Sequence, residues 1–180
     1  MVKEMRKRGI RKGLLLSGLG ILLLALAIYR RDADNNSFLP LLLVGGLALW
    51  QWALVFSNRF LRGIEAFCNQ TSDPASTMAR VENIWTQGVR GAKYCRMDAE
   101  YLVWGNGLRS AVIPFNELAR AYIYPFRGNL ILRLIFKSGK DQSLMLDATG
   151  STAKRQAIEK VVFEHIEEHH PDILLNKNLA

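Results

Sequence analysis

GLLLSGLGILLLALAIY at 13–29 and FLPLLLVGGLALWQWALVFS at 38–57, parted by the polar segment RRDADNNS, are the stretch on which the fold of this 180-residue chain turns. The runs hold 17 and 20 residues, and a bilayer's hydrocarbon core takes about 20 residues at about 1.5 Å rise each, with about 17 as the lower limit. Counted that way, they predict a two-helix transmembrane hairpin over 13–57. Neither run carries an ionisable residue in its interior, and Gln51 is the one strongly polar side chain apart from the small Ser17. Proton and ion relays need intramembrane Asp, Glu, His, Lys or Arg. The hairpin therefore reads as an anchor, not as a pore or transporter.

The charge pattern next to the hairpin carries the topology. The formal net charge is +8, and much of the excess sits in Lys3, Arg6, Lys7, Arg8, Arg11 and Lys12, opposed there by Glu4 alone. The loop between the runs has Arg30 and Arg31, and the exit has Arg59 and Arg62. Lys and Arg accumulate on the cytoplasmic side of spans, so both termini are expected in the cytoplasm of a two-pass cell-membrane protein. Lys3, Arg6, Lys7, Arg8, Arg11, Lys12, Arg59 and Arg62 are then candidates for anionic headgroup contact, at about 1 kcal/mol each near the surface. The same clustering makes a nucleic-acid partner a poor account of the net charge. The first run could instead be a secretory signal peptide, but its apolar core is long for an h-region and no small-residue cleavage site follows. Gly13, Ser17, Gly18, Gly20, Gly45, Gly46 and Ala48 let helices approach closely, within the pair or in a dimer. Trp50, Trp52 and Tyr29 fit an interfacial aromatic belt. Cys68 and Cys95 lack metal-ligand spacing and read as reduced structural thiols.

Residues 58–91 keep helical spacing. Phe60, Leu61, Ile64, Phe67 and Cys68 form one apolar face, and Asp73 followed by Pro74 starts a second helix with Met78, Val81, Ile84 and Trp85 inward. From 92 the period becomes two, with strands expected at 92–97, 101–104, 109–114, 119–124, 129–136 and 141–147. A helix over 151–169 follows, and the tail DILLNKNLA keeps enough Ile and Leu to pack down. The fold class is thus α+β: the hairpin, then a pleckstrin-homology-like antiparallel meander or barrel of six to seven strands over 92–180, closed by the C-terminal amphipathic helix.

The segment VIPFNELARAYIY, a Leu-rich strand, FKSGKDQSLML, a last helix and a Pro-containing tail resemble a group of small bacterial two-span membrane proteins of unknown function. Those carry a cytoplasmic pleckstrin-homology-like (YcxB-like) domain. Ile113, Pro114, Glu117, Tyr122 and Gly139 match the expected layout, over roughly 92–175 and the two runs before it. The resemblance implies fold and topology, and no catalytic residue.

Three patterns could carry chemistry. His165-Ile166-Glu167-Glu168-His169 satisfies the H-x-x-E-H form of one class of zinc peptidases, in which His165 and His169 would bind the metal and Glu168 act as base. A third protein ligand is missing, because Asp172 is the sole carboxylate side chain that follows. Gly105-Asn106-Gly107 reads as a hairpin turn. The segment at 149–154 opens a helix without P-loop spacing, so capping by Thr149 or Ser151 accounts for it. The expectation is a non-enzymatic protein with no cofactor, no small-molecule substrate and no nucleic-acid partner. Its domain binds an unknown partner protein or its own copies. The alternatives are an accessory subunit of a membrane complex acting through its spans, an anionic-lipid-reading domain, and a metal-dependent hydrolase using His165 and His169.

Overall fold

The computed structural model describes residues 2–29, 38–57, 59–148 and 150–176. The chain divides into two compact units: Met1–Arg62 with Gly107–Arg109, and Gly63–Asn106 with Ser110–Ala180.

The first unit is a pair of packed helices, α1 (Val2–Tyr29) and α2 (Phe38–Phe56), with a 3₁₀ turn at Arg59–Leu61. Small residues set their approach. A Cβ on Gly13 would stand 3.0 Å from the Trp52 ring, and one on Gly20 would stand 3.5 Å from Val44. Trp52 Nε1 donates to Ser17 Oγ at 3.2 Å, and the indole stacks on Phe56 with ring centroids 5.8 Å apart. Trp52 is therefore a packing residue of the helix pair. The side chain of Tyr29 and the loop 30–37 lie outside the described residues. Gly18, Gly45 and Gly46 face open space.

The expected transmembrane hairpin is overturned: among the described residues, no helix is long and apolar enough to cross a membrane. The terms that count are length and apolar content. α1 absorbs the basic segment, so that Lys3 and Lys12 lie in one helix with the apolar run and 17 uncharged residues remain. α2 has 19 residues, and Pro40, Gly45, Gly46 and Gln51 within it lower its apolar content. At 1.5 Å per residue these apolar lengths come to about 26 and 28 Å, against a hydrocarbon core of about 30 Å. With the hairpin go the two-pass cell-membrane location and the placing of both termini in the cytoplasm. The outward helix faces stay apolar, with Leu15, Ile21, Leu43, Leu49 and Trp50 exposed.

The second unit opens with α3 (Arg62–Cys68) and α4 (Pro74–Gln87). Asp73 caps α4 by accepting the Ser76 N–H at 3.1 Å, and Pro74 at the first helical position needs no hydrogen-bond partner for its nitrogen. Two four-stranded sheets follow. The first is antiparallel, in the order β1 (Val89–Ala92), β2 (Cys95–Met97), β3 (Tyr101–Gly105), β4 (Ser110–Pro114). After a 3₁₀ turn at Phe115–Glu117 come β5 (Leu118–Phe126), β6 (Asn129–Phe136), β7 (Asp141–Ala148), α5 (Thr152–His169) and β8 (Leu174–Asn176). The second sheet has the order β7-β6-β5-β8, with β8 parallel to β5.

The α+β class holds, while the single meander of six to seven strands becomes two sheets with eight strands. The strand expected over 92–97 is two, because Ala92 pairs with Cys95 across a tight turn at Lys93 and Tyr94. The added last strand comes from the tail, of which 177–180 lie outside the described residues. β6 alternates as its sequence demands: Leu130, Leu132 and Leu134 are buried between the sheets, with Ile131, Arg133 and Ile135 on the other face. The core is completed by Cys95, Met97, Leu102, Trp104 and Ile113 from the first sheet and by Val162, Phe163 and Ile166 from α5. Two bonds tie the first sheet to β7: Tyr94 N–H donates to Leu146 O at 3.2 Å and Trp104 Nε1 to Met145 O at 2.7 Å. α4 lies against β2 and β3, which leaves β3 buried on both faces.

Candidate functional site

The His165–His169 pattern lies where it was expected, at the end of α5, and its geometry gives each ring a structural duty. His165 is 8% exposed. Its Nε2 is 2.8 Å from the Asp98 carbonyl, His169 Nδ1 is 3.0 Å from the His165 carbonyl, and His170 Nε2 is 2.6 Å from the Ala99 carbonyl. A carbonyl oxygen accepts and cannot donate, so each of these three nitrogens carries the proton. The His165 and His170 rings therefore act as N–H clamps on the β2–β3 turn. That turn is held from other sides as well. Asp98 Oδ1 accepts the Glu100 and Tyr101 N–H groups at 2.8 and 2.7 Å, and Phe115 N–H donates to Glu100 O at 2.9 Å. From α4, Arg80 reaches Asp98 at 3.3 Å and Glu100 at 3.0 Å, with its guanidinium 4.7 Å from the Tyr101 ring centroid. The bond to Glu100 is the main cause that raises the Arg80 pKa.

Glu168 is exposed. Among the described residues, no three of His, Cys, Asp and Glu are grouped to hold a metal ion. His165 and His169 have ring centroids 4.6 Å apart, but the arrangement supplies a packed helix end and no third ligand. The segment that opens α5 is a cap, in which Ser151 Oγ accepts the Lys154 N–H at 3.3 Å; Thr149 lies outside the described residues. Cys68 and Cys95 are free and buried. Burial pushes the Cys95 thiol up to about 12, with Arg96 pulling it down slightly, and burial is likewise the chief cause that raises Cys68. Thiolate is the nucleophilic form, so neither is poised to react near neutrality.

The proposed headgroup residues are scattered by function. Lys3, Arg6, Lys7 and Arg11 are exposed on α1, Lys12 is half-buried there, and Arg8 pairs with Glu4 one turn away. Arg62 begins α3 and is exposed, and the side chain of Arg59 lies outside the described residues. Their common purpose rested on a neighbouring span, which the helix lengths do not supply.

A different surface gathers the features of a binding site: the outward face of the second sheet. Along β5, Arg120, Tyr122 and Tyr124 alternate with the buried Ala121 and Ile123. Cross-strand register sets Arg120 opposite Ile135, Tyr122 opposite Arg133 and Tyr124 opposite Ile131, while on the other side Leu174 of β8 stands beside Arg120. The two tyrosine rings are 5.8 Å apart, and the Arg133 guanidinium is 5.9 Å from the Tyr122 ring. Arg133 is committed to Asp141, its Nε donating to Oδ2 at 2.7 Å, and that bond is the main cause that raises its pKa. Lys137 pairs with Asp172 at 3.3 Å. Arg120 is exposed and has no carboxylate partner among the described residues. A concavity of about 310 Å³ opens here, lined by Arg120, Ala121, Tyr122, Ile135, Leu174 and Leu175.

Sequence reasoning did not single out this face. The alternation R-A-Y-I-Y at 120–124 contained the signal, since one face of that strand is small or aliphatic and the other is Arg and Tyr. No family model, curated protein or solved structure matches the chain.

Proposed function

We propose that the chain is a non-enzymatic protein-binding module and that the outward face of the second sheet is its interface. The observation that carries this reading is the residue content of that face. Tyr122, Tyr124, Ile131 and Ile135 are partly exposed beside Leu174, which is 61% exposed. The opposite face of the same strands already fills the core. A solvent-facing sheet surface is ordinarily polar. Tyr and Arg are the residue types that dominate binding energy where proteins meet.

The test places a photo-crosslinking amino acid at Tyr124 of the full chain in its host cell, with Glu82 on the exposed side of α4 as the control position. The reading expects a discrete protein adduct from position 124 that Ile135→Glu abolishes and that position 82 does not give. Identical adduct patterns from the two positions would reject it.

A second reading has its own support. The outward faces of α1 and α2 leave Leu15, Ile21, Leu43 and Leu49 exposed, so copies of the chain would associate through the helix pair. Replacing these four by Glu and Lys would then convert an oligomer to a monomer in sedimentation velocity. An unchanged sedimentation coefficient would dismiss association through these faces.

A further inference from the structure

We infer that the concavity at Arg120 takes an extended polypeptide segment whose every second residue faces the sheet, one of these a carboxylate and the next two aliphatic; the inference rests on the sheet face being a protein interface. The first support is charge. Of the two guanidinium groups on that face, Arg133 is neutralised by Asp141, and Arg120 alone lacks a carboxylate among the described residues. Residues 115–141, which form β5, β6 and their flanking turns, carry Arg120, Arg127, Arg133, Lys137 and Lys140 against Glu117 and Asp141, and Lys137 is paired with Asp172. The complement of such a surface is acidic.

The second support is shape. Ile135 and Leu174 flank Arg120 on either side, so an incoming carboxylate would be met between two aliphatic walls. A charge-assisted hydrogen bond at such a partly desolvated place is roughly twice as strong as a neutral one. The third support is spacing. Arg120, Tyr122 and Tyr124 point the same way at successive alternate positions, about 6.6 Å apart along the strand. An extended segment presents its own alternate side chains at the same interval, so a carboxylate over Arg120 sets apolar side chains over the two tyrosine rings. A small anion would meet Arg120 and leave most of the concavity and Tyr124 uncovered. Single-stranded nucleic acid also stacks on aromatic rings and pairs with Arg, but here Ile131 and Ile135 are interleaved with the rings and the second Arg is already paired.

The test uses the full chain and fluorescein-labelled short peptides of the pattern X-Ser-Leu-Ser-Leu, in which X is Glu, Gln or Lys, together with an oligo-uridylate of similar length. Binding is read by fluorescence anisotropy and located by amide chemical-shift changes. The expected result is that the Glu peptide binds about tenfold tighter than the Gln peptide, a step of one charge-assisted bond. Arg120→Gln should erase that difference, and Tyr122→Ala should weaken both peptides. Thermal unfolding of each variant shows whether it folds. Equal affinity for Glu and Gln peptides, both lost in Tyr122→Ala, would overturn the acidic partner and leave the binding face standing. Preference for oligo-uridylate, or the absence of shift changes on β5 and β6 with every probe, would overturn the inference as well. The crosslinking at Tyr124 tests the underlying interface independently.

Discussion

Gly63 shows how finely single atoms set this fold. It lies in α3, where Ala is intrinsically favoured over Gly by about 1 kcal/mol. A Cβ at that position would overlap the carbonyl oxygen of Ser110 at the start of β4. The steric term has no flexible side chain to move, so Gly63→Ala should destabilise the second unit by about 2–4 kcal/mol in urea unfolding, against the direction of helix propensity. A stabilised variant would mean that α3 does not approach β4 so closely. Cys95 gives a second residue-level expectation. Its folded thiol is raised from 9.0 to about 12 by burial, so the native state keeps a proton that the unfolded state loses. The contribution is fully present below about pH 9 and disappears as pH rises toward about 12. The stability of the wild type should therefore fall more steeply with pH above 9 than that of Cys95→Ala, measured by denaturant titration at a series of pH values. Parallel slopes would contradict the buried thiol.

At the scale of elements, the end of α5 and the turn between β2 and β3 act as one piece. His165→Ala would leave the Asp98 carbonyl without its donor and open a void, costing about 2–3 kcal/mol. His169→Ala removes a bond within its own helix end and should cost about 1 kcal/mol or less. A metal site would make the two losses similar and dependent on added zinc, so calorimetry with and without zinc and chelator separates the cases. In the helix pair, Gln51 is 6% exposed and its Nε2 has no hydrogen-bond partner among the described residues. Gln51→Met keeps the volume and removes the unsatisfied group. It should raise the thermal midpoint, by a free energy of about 1–2 kcal/mol; a lowered midpoint would show that the amide is paired.

These same elements show where sequence is informative. The start of α4 at Asp73 and Pro74, and the 3.6-residue spacing of Val81, Ile84 and Trp85, were readable because caps and periodicity are local physics. The alternation in β6 was readable for the same reason. The split between β1 and β2 was not, because Lys93 and Tyr94 lack the usual Gly or Asn turn signal, and Tyr94 is held by a long-range bond to Leu146. β8 was missed because three residues show no period, and their pairing with β5 is fixed by tertiary contact. The helix pair misled for another reason. Counting apolar residues gives a length at the threshold for spanning, where a count alone does not decide, and among the described residues no helix is long and apolar enough to cross a membrane. His165 and His169 matched a motif by spacing, and their hydrogen-bond partners, more than sixty residues away for His165, were invisible to it.

At the scale of the whole molecule, the compact two-sheet unit spends its inner faces on the core and keeps an outward face with tyrosine, aliphatic side chains and one guanidinium, Arg120, that has no carboxylate partner among the described residues. We expect this face to be covered by protein when the molecule works. Hydroxyl-radical footprinting reads that directly, comparing the full chain inside its host cell with the purified full chain. Tyr122 and Tyr124 should be protected several-fold in the cell, while Val89 of the first sheet, 44% exposed, serves as the internal reference. Equal oxidation of Tyr122 and Tyr124 in both settings, normalised to Val89, would show that this face is not a protein interface.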